Sequence, residues 1–164
     1  MIKLIIFDLD GVLVDAKNIH FDALNKALGE YAIDWNEHLS IYDGLKTTQK
    51  LQMLTERKGL PEIKHEAIWE AKQYWTLQML KELKPNLTLQ SVMTSLSEDG
   101  YKLVVCSNSI RKTVLTALAK LGIIEFIDLI ISNEDVKNSK PHPEMYWKAI
   151  SMMSCLPEET LIVE

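Results

Sequence analysis

Two carboxylates, Asp8 and Asp10, stand one residue apart at the end of the apolar run Leu4–Phe7 and immediately before Gly11. Acids held that close repel each other and share a proton or a cation, so the pair points to chemistry. Asp8 suits a nucleophile, because a carboxylate can attack phosphorus and form an acyl phosphate, splitting one hard hydrolysis into two easier steps. It is also a hard oxygen ligand of the kind that Mg²⁺ takes. Asp10 suits a general acid that protonates a leaving alcohol and then, as a base, activates water.

Three further apolar runs, Leu103–Cys106, Phe126–Ile131 and Leu161–Val163, are rich in Ile and Val and do not alternate with polar residues. That pattern predicts parallel strands buried on both faces. Ser107 and Asn108 follow the second run, a loop with Ser139-Lys140-Pro141 follows the third, and Glu164 follows the fourth. Ligands of open parallel sheets bind at the carboxyl ends of the strands. Four strand ends thus converge a nucleophile, a hydroxyl, a cation and several acids, the set expected for metal-assisted phosphoryl transfer.

Helical stripes separate the later runs. Leu89, Val92, Met93 and Leu96 form one, ended by Gly100, and Val114, Leu115, Leu118 and Leu121 form another, ended by Gly122. Met145, Ala149, Ile150 and Met153 form a third, opened by Pro143. Strand–helix alternation of this kind predicts an α/β fold with right-handed crossovers. Residues 16–84 break the alternation: they hold helical patterns at Ile19–Leu28, Leu45–Lys58 and Glu62–Leu83 and no convincing strand. The expected organisation is a core of residues 1–15 and 85–164 with an all-helical insert at 16–84. Trp69, Tyr74 and Trp75 of the insert are expected to pack its own core.

The 164 residues, 47% of them hydrophobic, suffice for such a core and insert, and the net charge of −5 argues against a nucleic-acid partner. Cys106 and Cys155 have no metal-ligand spacing and suit a reducing cytoplasm. No apolar run approaches the ~20 residues needed to span a bilayer, so a cytoplasmic protein without a membrane partner is expected.

The string Asp8-Leu9-Asp10-Gly11-Val12-Leu13-Val14-Asp15 resembles the first motif of the haloacid-dehalogenase superfamily of phosphohydrolases. Ser107 resembles its second motif, Lys140 in Ser-Lys-Pro-His-Pro-Glu-Met-Tyr its third, and Leu-Ile-Val-Glu164 the start of its fourth. The resemblance implies a Rossmann-like parallel core with a helical cap, of the branch typified by β-phosphoglucomutase and phosphoglycolate phosphatase. It implies catalytic Asp8, Asp10, Ser107 and Lys140, with Ser107 and backbone N–H groups holding a phosphoryl oxygen and Lys140 neutralising the phospho-intermediate. Gly11 and Asn108 are expected to bind substrate. So are His20, matching a mutase position near the reacting centre, Gly44, matching a cap-loop glycine, and Lys46, placed for a distal anionic group. Asp8, Asp10 and Glu164 are the expected Mg²⁺ ligands.

The fourth motif of that branch reads Glu-Asp, and here Glu164 is the last residue. The chain is therefore expected to be C-terminally truncated, lacking the last core strand or strands and helices and self-associating through the uncovered sheet edge. The mutase's cap-loop arginine is not evident at Lys46-Thr47-Thr48, and Ala16 replaces the Ser or Thr common after Asp15. The leading expectation is that the full-length protein is a Mg²⁺-dependent phosphatase of a small phosphorylated metabolite. A phosphomutase, or an inactive fragment acting only as a binding module, is the alternative.

Overall fold

The computed structural model describes residues 1–43 and 45–164. Their contacts divide into two units, Met1–Ala16 with Leu80–Glu164 and Lys17–Met79. The second division falls at 79/80, where the sequence reading set 84/85.

In the first unit, β1 (Leu4–Phe7), β2 (Lys102–Cys106), β3 (Leu129–Ile131) and β4 (Thr160–Val163) form one all-parallel sheet in the order β3-β2-β1-β4. The chain runs outward from β1 through β2 to β3, then returns to the far side of β1 as β4. A crevice opens at such a reversal, at the carboxyl ends of the strands. Register sets what meets there: Phe7 lies opposite Val105 on one side and Val163 on the other. Asp8 and Glu164 therefore leave adjacent strands at the same level.

The central strands are buried on both faces, as their uninterrupted apolar runs require. Leu4, Ile6, Val104, Cys106 and Ile131 pack on one face with Met145 and Ala149 of the helix Glu144–Met152. Within this unit, Leu87–Glu98 and Arg111–Leu121 are also helices. Asn86 caps the first by accepting from Leu89 N–H at 3.0 Å. The second ends at Gly122, whose φ of 73° is a left-handed cap suited to glycine. Val92 and Leu115, read as members of the buried stripes, are exposed; Met93, Val114, Leu118 and Leu121 carry the burial.

The third strand is shorter than its apolar run. Phe126 belongs to a 3₁₀ turn, Ile124–Phe126, because Phe126 N–H bonds back to Ile123 C=O and Ile127 N–H to Ile124 C=O. Asp128 then joins β2, accepting from Leu103 N–H at 2.8 Å, before β3 starts at Leu129.

Three described helices of the second unit follow the patterns read at Ile19–Leu28, Leu45–Lys58 and Glu62–Leu83 with shifted bounds, while Trp35–Glu37 and His38–Tyr42 fall outside them. Helices span Lys17–Leu28, Trp35–Glu37, Thr47–Lys58 and His65–Leu80, and His38–Tyr42 forms a π-helical turn. Glu62–Lys64, read as the start of the last helix, is a 3₁₀ turn after Pro61. Leu24, Leu28, Ile33, Tyr42, Leu51, Leu54, Leu60 and Ile68 form this unit's own core, and Trp69 packs against it. Burying each such aliphatic side chain contributes about 1.5–3 kcal/mol. Tyr74 departs from the reading: it is exposed, set edge-on to Trp75, which Lys26 Nζ approaches at 4.6 Å. Among the described residues no helix is long and apolar enough to cross a membrane.

Candidate active site at the carboxyl edge of the sheet

Asp8 follows β1 while still tied to the sheet, its N–H donating to Val163 C=O at 2.9 Å. Its Oδ1 accepts from Leu9 N–H at 2.7 Å and lies 2.8 Å from Lys140 Nζ. The chain then turns tightly. Leu9 C=O accepts from Leu13 and Val14 N–H, both at 3.0 Å, and Gly11 N–H donates to Val14 C=O at 2.8 Å. Gly11 has φ 90°, a region that side-chain-bearing residues rarely adopt, which accounts for glycine directly after the acid pair. Buried Leu9, Leu13 and Val14 anchor the turn and leave Asp10 half-buried.

Ser107 ends β2 fully buried, its N–H donating to Ile131 C=O at 3.0 Å. Its Oγ accepts from Ser109 N–H at 3.0 Å, and Ser109 Oγ in turn donates to Asp10 Oδ2 at 3.1 Å. Ser109 was not singled out in the sequence, although the Ser-Asn-Ser string contains it. Asn108 turns toward the Lys140 loop, where its Oδ1 accepts from Lys140 N–H at 2.9 Å and its Nδ2 donates to Lys140 C=O at 3.0 Å.

The Lys140 side chain is only 10% exposed and runs between the two strand ends. Its Nζ reaches Asp8 Oδ1 and, at 3.1 Å, Glu164 Oε1. Tyr146 also donates its O–H to Glu164 Oε1, a contact that no sequence spacing announced. The Tyr146 hydrogen bond and the Lys140 ammonium outweigh partial burial and hold the Glu164 carboxyl below its ordinary pKa. Burial, then Glu164, push the Tyr146 phenol upward, so it stays a donor. Cys106, one residue before Ser107, is a buried thiol that desolvation raises to about 12, which leaves it inert.

Asp8, Asp10, Gly11, Ser107, Asn108, Lys140 and Glu164 thus all belong to the sheet unit's carboxyl edge. His20 and Lys46 belong to the helical unit, and Gly44 lies outside the described residues. His20 Nδ1 is 3.3 Å from Nζ of the buried Lys72, another residue that the sequence pattern did not mark. Lys46 is exposed; its N–H donates to Gln49 Oε1 at 3.0 Å, opening the helix Thr47–Lys58.

Among the described residues no three acid, imidazole or thiol groups cluster closely enough to hold a metal ion by themselves. Asp8 and Glu164 nevertheless share one cation, Lys140 Nζ, so both lie within reach of a single positive centre. Mg²⁺ commonly takes one or two carboxylates and completes its shell with water and substrate phosphate. The donor chemistry fits such a loosely held ion.

A parallel sheet of Rossmann type, with acids, a serine and a lysine gathered at its carboxyl edge, is the core of a haloacid-dehalogenase-like fold. The chain belongs to the haloacid dehalogenase-like hydrolase family, whose model matches residues 5–164. It is 26% identical to a phosphorylated carbohydrates phosphatase of Thermotoga maritima, an alignment covering 98% of this chain and 74% of that protein. It is 25% identical to the pyrophosphatase PpaX of Halalkalibacterium halodurans, covering 99% of this chain and 74% of the relative. Among solved structures it resembles a β-phosphoglucomutase from Clostridium difficile, with TM-score 0.82, 25% identity, and 100% and 76% of the two chains covered. CbbY of Rhodobacter sphaeroides shares the fold, with TM-score 0.81, 20% identity, and 99% and 77% covered.

Proposed function

We propose that the protein is a Mg²⁺-dependent phosphatase of a small phosphorylated metabolite, working through an aspartyl-phosphate on Asp8. The observation that carries this reading is the Lys140 ammonium 2.8 Å from Asp8 Oδ1, on the oxygen that Leu9 N–H also holds. With Oδ1 held, Oδ2 is the oxygen that attacks phosphorus, forming the Asp8 O–P bond as the ester P–O bond breaks. Asp10 gives its proton to the departing alkoxide, then as carboxylate takes a proton from the water that attacks the phospho-aspartate and releases inorganic phosphate. Ser109, hydrogen-bonded to Asp10, orients that carboxyl group.

Ser107 Oγ accepts from Ser109 N–H, and its own O–H would donate to a phosphoryl oxygen. Apart from its chain neighbours, no atom lies within 4 Å of where a Gly11 Cβ would stand, so the turn would let a phosphate approach beside the acid pair. Asp8 and Glu164 would hold Mg²⁺, with Asp10 beside them, and the ion would supply charge neutralisation for the transferring phosphoryl group. The relatives named for phosphorylated carbohydrates and for pyrophosphate support a small phosphorylated substrate.

Hydrolysis of p-nitrophenyl phosphate and a panel of sugar phosphates tests this. Turnover should require Mg²⁺, stop with chelator, and fall at least about 10³-fold in Asp8→Asn; full activity in that variant would sink the nucleophile assignment. A mutase reading is favoured by the likeness to a β-phosphoglucomutase, and predicts isomerised sugar phosphate instead of free phosphate.

A further inference from the structure

We infer that Asn108 is a positioning residue for Lys140 and not a substrate ligand, an inference that rests on the phosphatase reading for its kinetic consequence. Asn108 follows β2 by two residues, while Lys140 lies in the loop between β3 and the helix Glu144–Met152. The Asn108 amide closes a two-bond ring on the lysine's backbone, accepting from its N–H at 2.9 Å and donating to its C=O at 3.0 Å. Among the described residues, both backbone polar groups of Lys140 find their partner in this one side chain.

The rest of the loop is secured separately. Glu144 accepts from Lys137 N–H at 2.8 Å and from Asn138 N–H at 2.9 Å, and His142 N–H donates to Ser139 C=O at 3.1 Å. Those bonds set the loop on either side of Lys140 without engaging the lysine's own N–H or C=O. A lysine carries its charge on a flexible four-carbon stem, so the position of Nζ depends on how firmly the backbone at its root is held. The Asn108 ring ties that root to β2, the strand next to β1, whose end carries Asp8. An amide that mimics a strand partner in this way spends its donor and acceptor on geometry. Aligned distances of 2.8 and 3.1 Å from Nζ to Asp8 and Glu164 are the result.

Two readouts on the full chain test the clamp. The first is amide hydrogen exchange at Lys140 by NMR, which needs no activity. In Asn108→Ala this amide should exchange about tenfold faster or more, with the Glu144-bound amides of Lys137 and Asn138 unchanged. The second is p-nitrophenyl phosphate hydrolysis with MgCl₂, where kcat should fall about 10- to 100-fold with KM within twofold. Asn108→Asp keeps the acceptor for Lys140 N–H but sets a carboxylate against its C=O, so both readouts should fall between wild type and the alanine variant. Unchanged exchange at Lys140, unchanged kcat, or a raised KM with kcat intact each overturns the inference. A wild-type chain without turnover refutes the phosphatase reading instead, and the clamp is then decided by exchange alone.

Discussion

Lys140 Nζ bridges Asp8 Oδ1 at 2.8 Å and Glu164 Oε1 at 3.1 Å, joining the ends of two adjacent parallel strands through one ammonium group. Asp8, the proposed attacking carboxylate, stands beside a second acid and would repel an anionic phosphate, a repulsion that the lysine would offset. Replacing Lys140 with Met keeps the stem and removes the charge. The kcat for p-nitrophenyl phosphate should fall about 10²- to 10³-fold, as for loss of one transition-state donor. A loss under threefold in steady-state kinetics would show that the ammonium does not act on the reacting phosphate.

Ser109 stands one hydrogen bond from Asp10, the proposed acid–base group. Its hydroxyl donates to Asp10 Oδ2 at 3.1 Å. A neutral hydrogen bond of this kind is worth about 0.5–1.5 kcal/mol, so Ser109→Ala should lower kcat about two- to tenfold with little change in KM. Equal kcat in wild type and variant, from paired initial-rate measurements, would remove Ser109 from the proton-transfer pathway.

Asp135 provides a pH-dependent element of stability away from the site. Partial burial raises its pKa, but hydrogen bonds from Arg111, at 2.7 Å to each carboxylate oxygen, and from Ser132 dominate and bring it down to about 2. The folded pKa lies below the ordinary carboxylate value of 3.8, so the stabilisation is present above about pH 4 and lost as pH falls through about 2. After screening at the half-exposed Arg111, about 1–2 kcal/mol is expected. Urea titrations of Asp135→Asn should show that loss at pH 7 and converge with wild type near pH 2. A constant offset across the range would contradict the assignment.

Gly122 closes the helix Arg111–Leu121 at φ 73°, and a Cβ there would collide with the Gln90 amide. That amide donates to Leu121 C=O at 3.0 Å, satisfying one of the helix's last carbonyls. Gly122→Ala should therefore cost about 1–2 kcal/mol, from left-handed strain plus the displaced hydrogen bond. Thermal unfolding reads this as a lower Tm, and an unchanged Tm would mean that Gln90 moves aside freely.

The parallel core, the helical insert and the strand-end residues Asp8, Asp10, Ser107, Lys140 and Glu164 were legible before any coordinates. Runs of Ile and Val without alternation can be buried only on both faces, and whatever polar residue follows such a run must emerge at the carboxyl edge. The ends of elements were less legible. Phe126 reads as strand by composition, but the reversal after Gly122 draws it into a 3₁₀ turn. Val92 and Leu115 fit a helical stripe by spacing, yet they are exposed, because burial depends on what packs against the helix.

The sequence by itself determined which chemical groups stand at the end of each strand, since period and apolar run length are local properties. Only the tertiary structure decided how those groups pair. Asn108 and Lys140 are 32 residues apart, and Ser109 and Asp10 are 99 apart. A hydrogen bond forms or fails on tenths of an ångström between atoms brought together by the sheet, and residue order alone does not encode that distance.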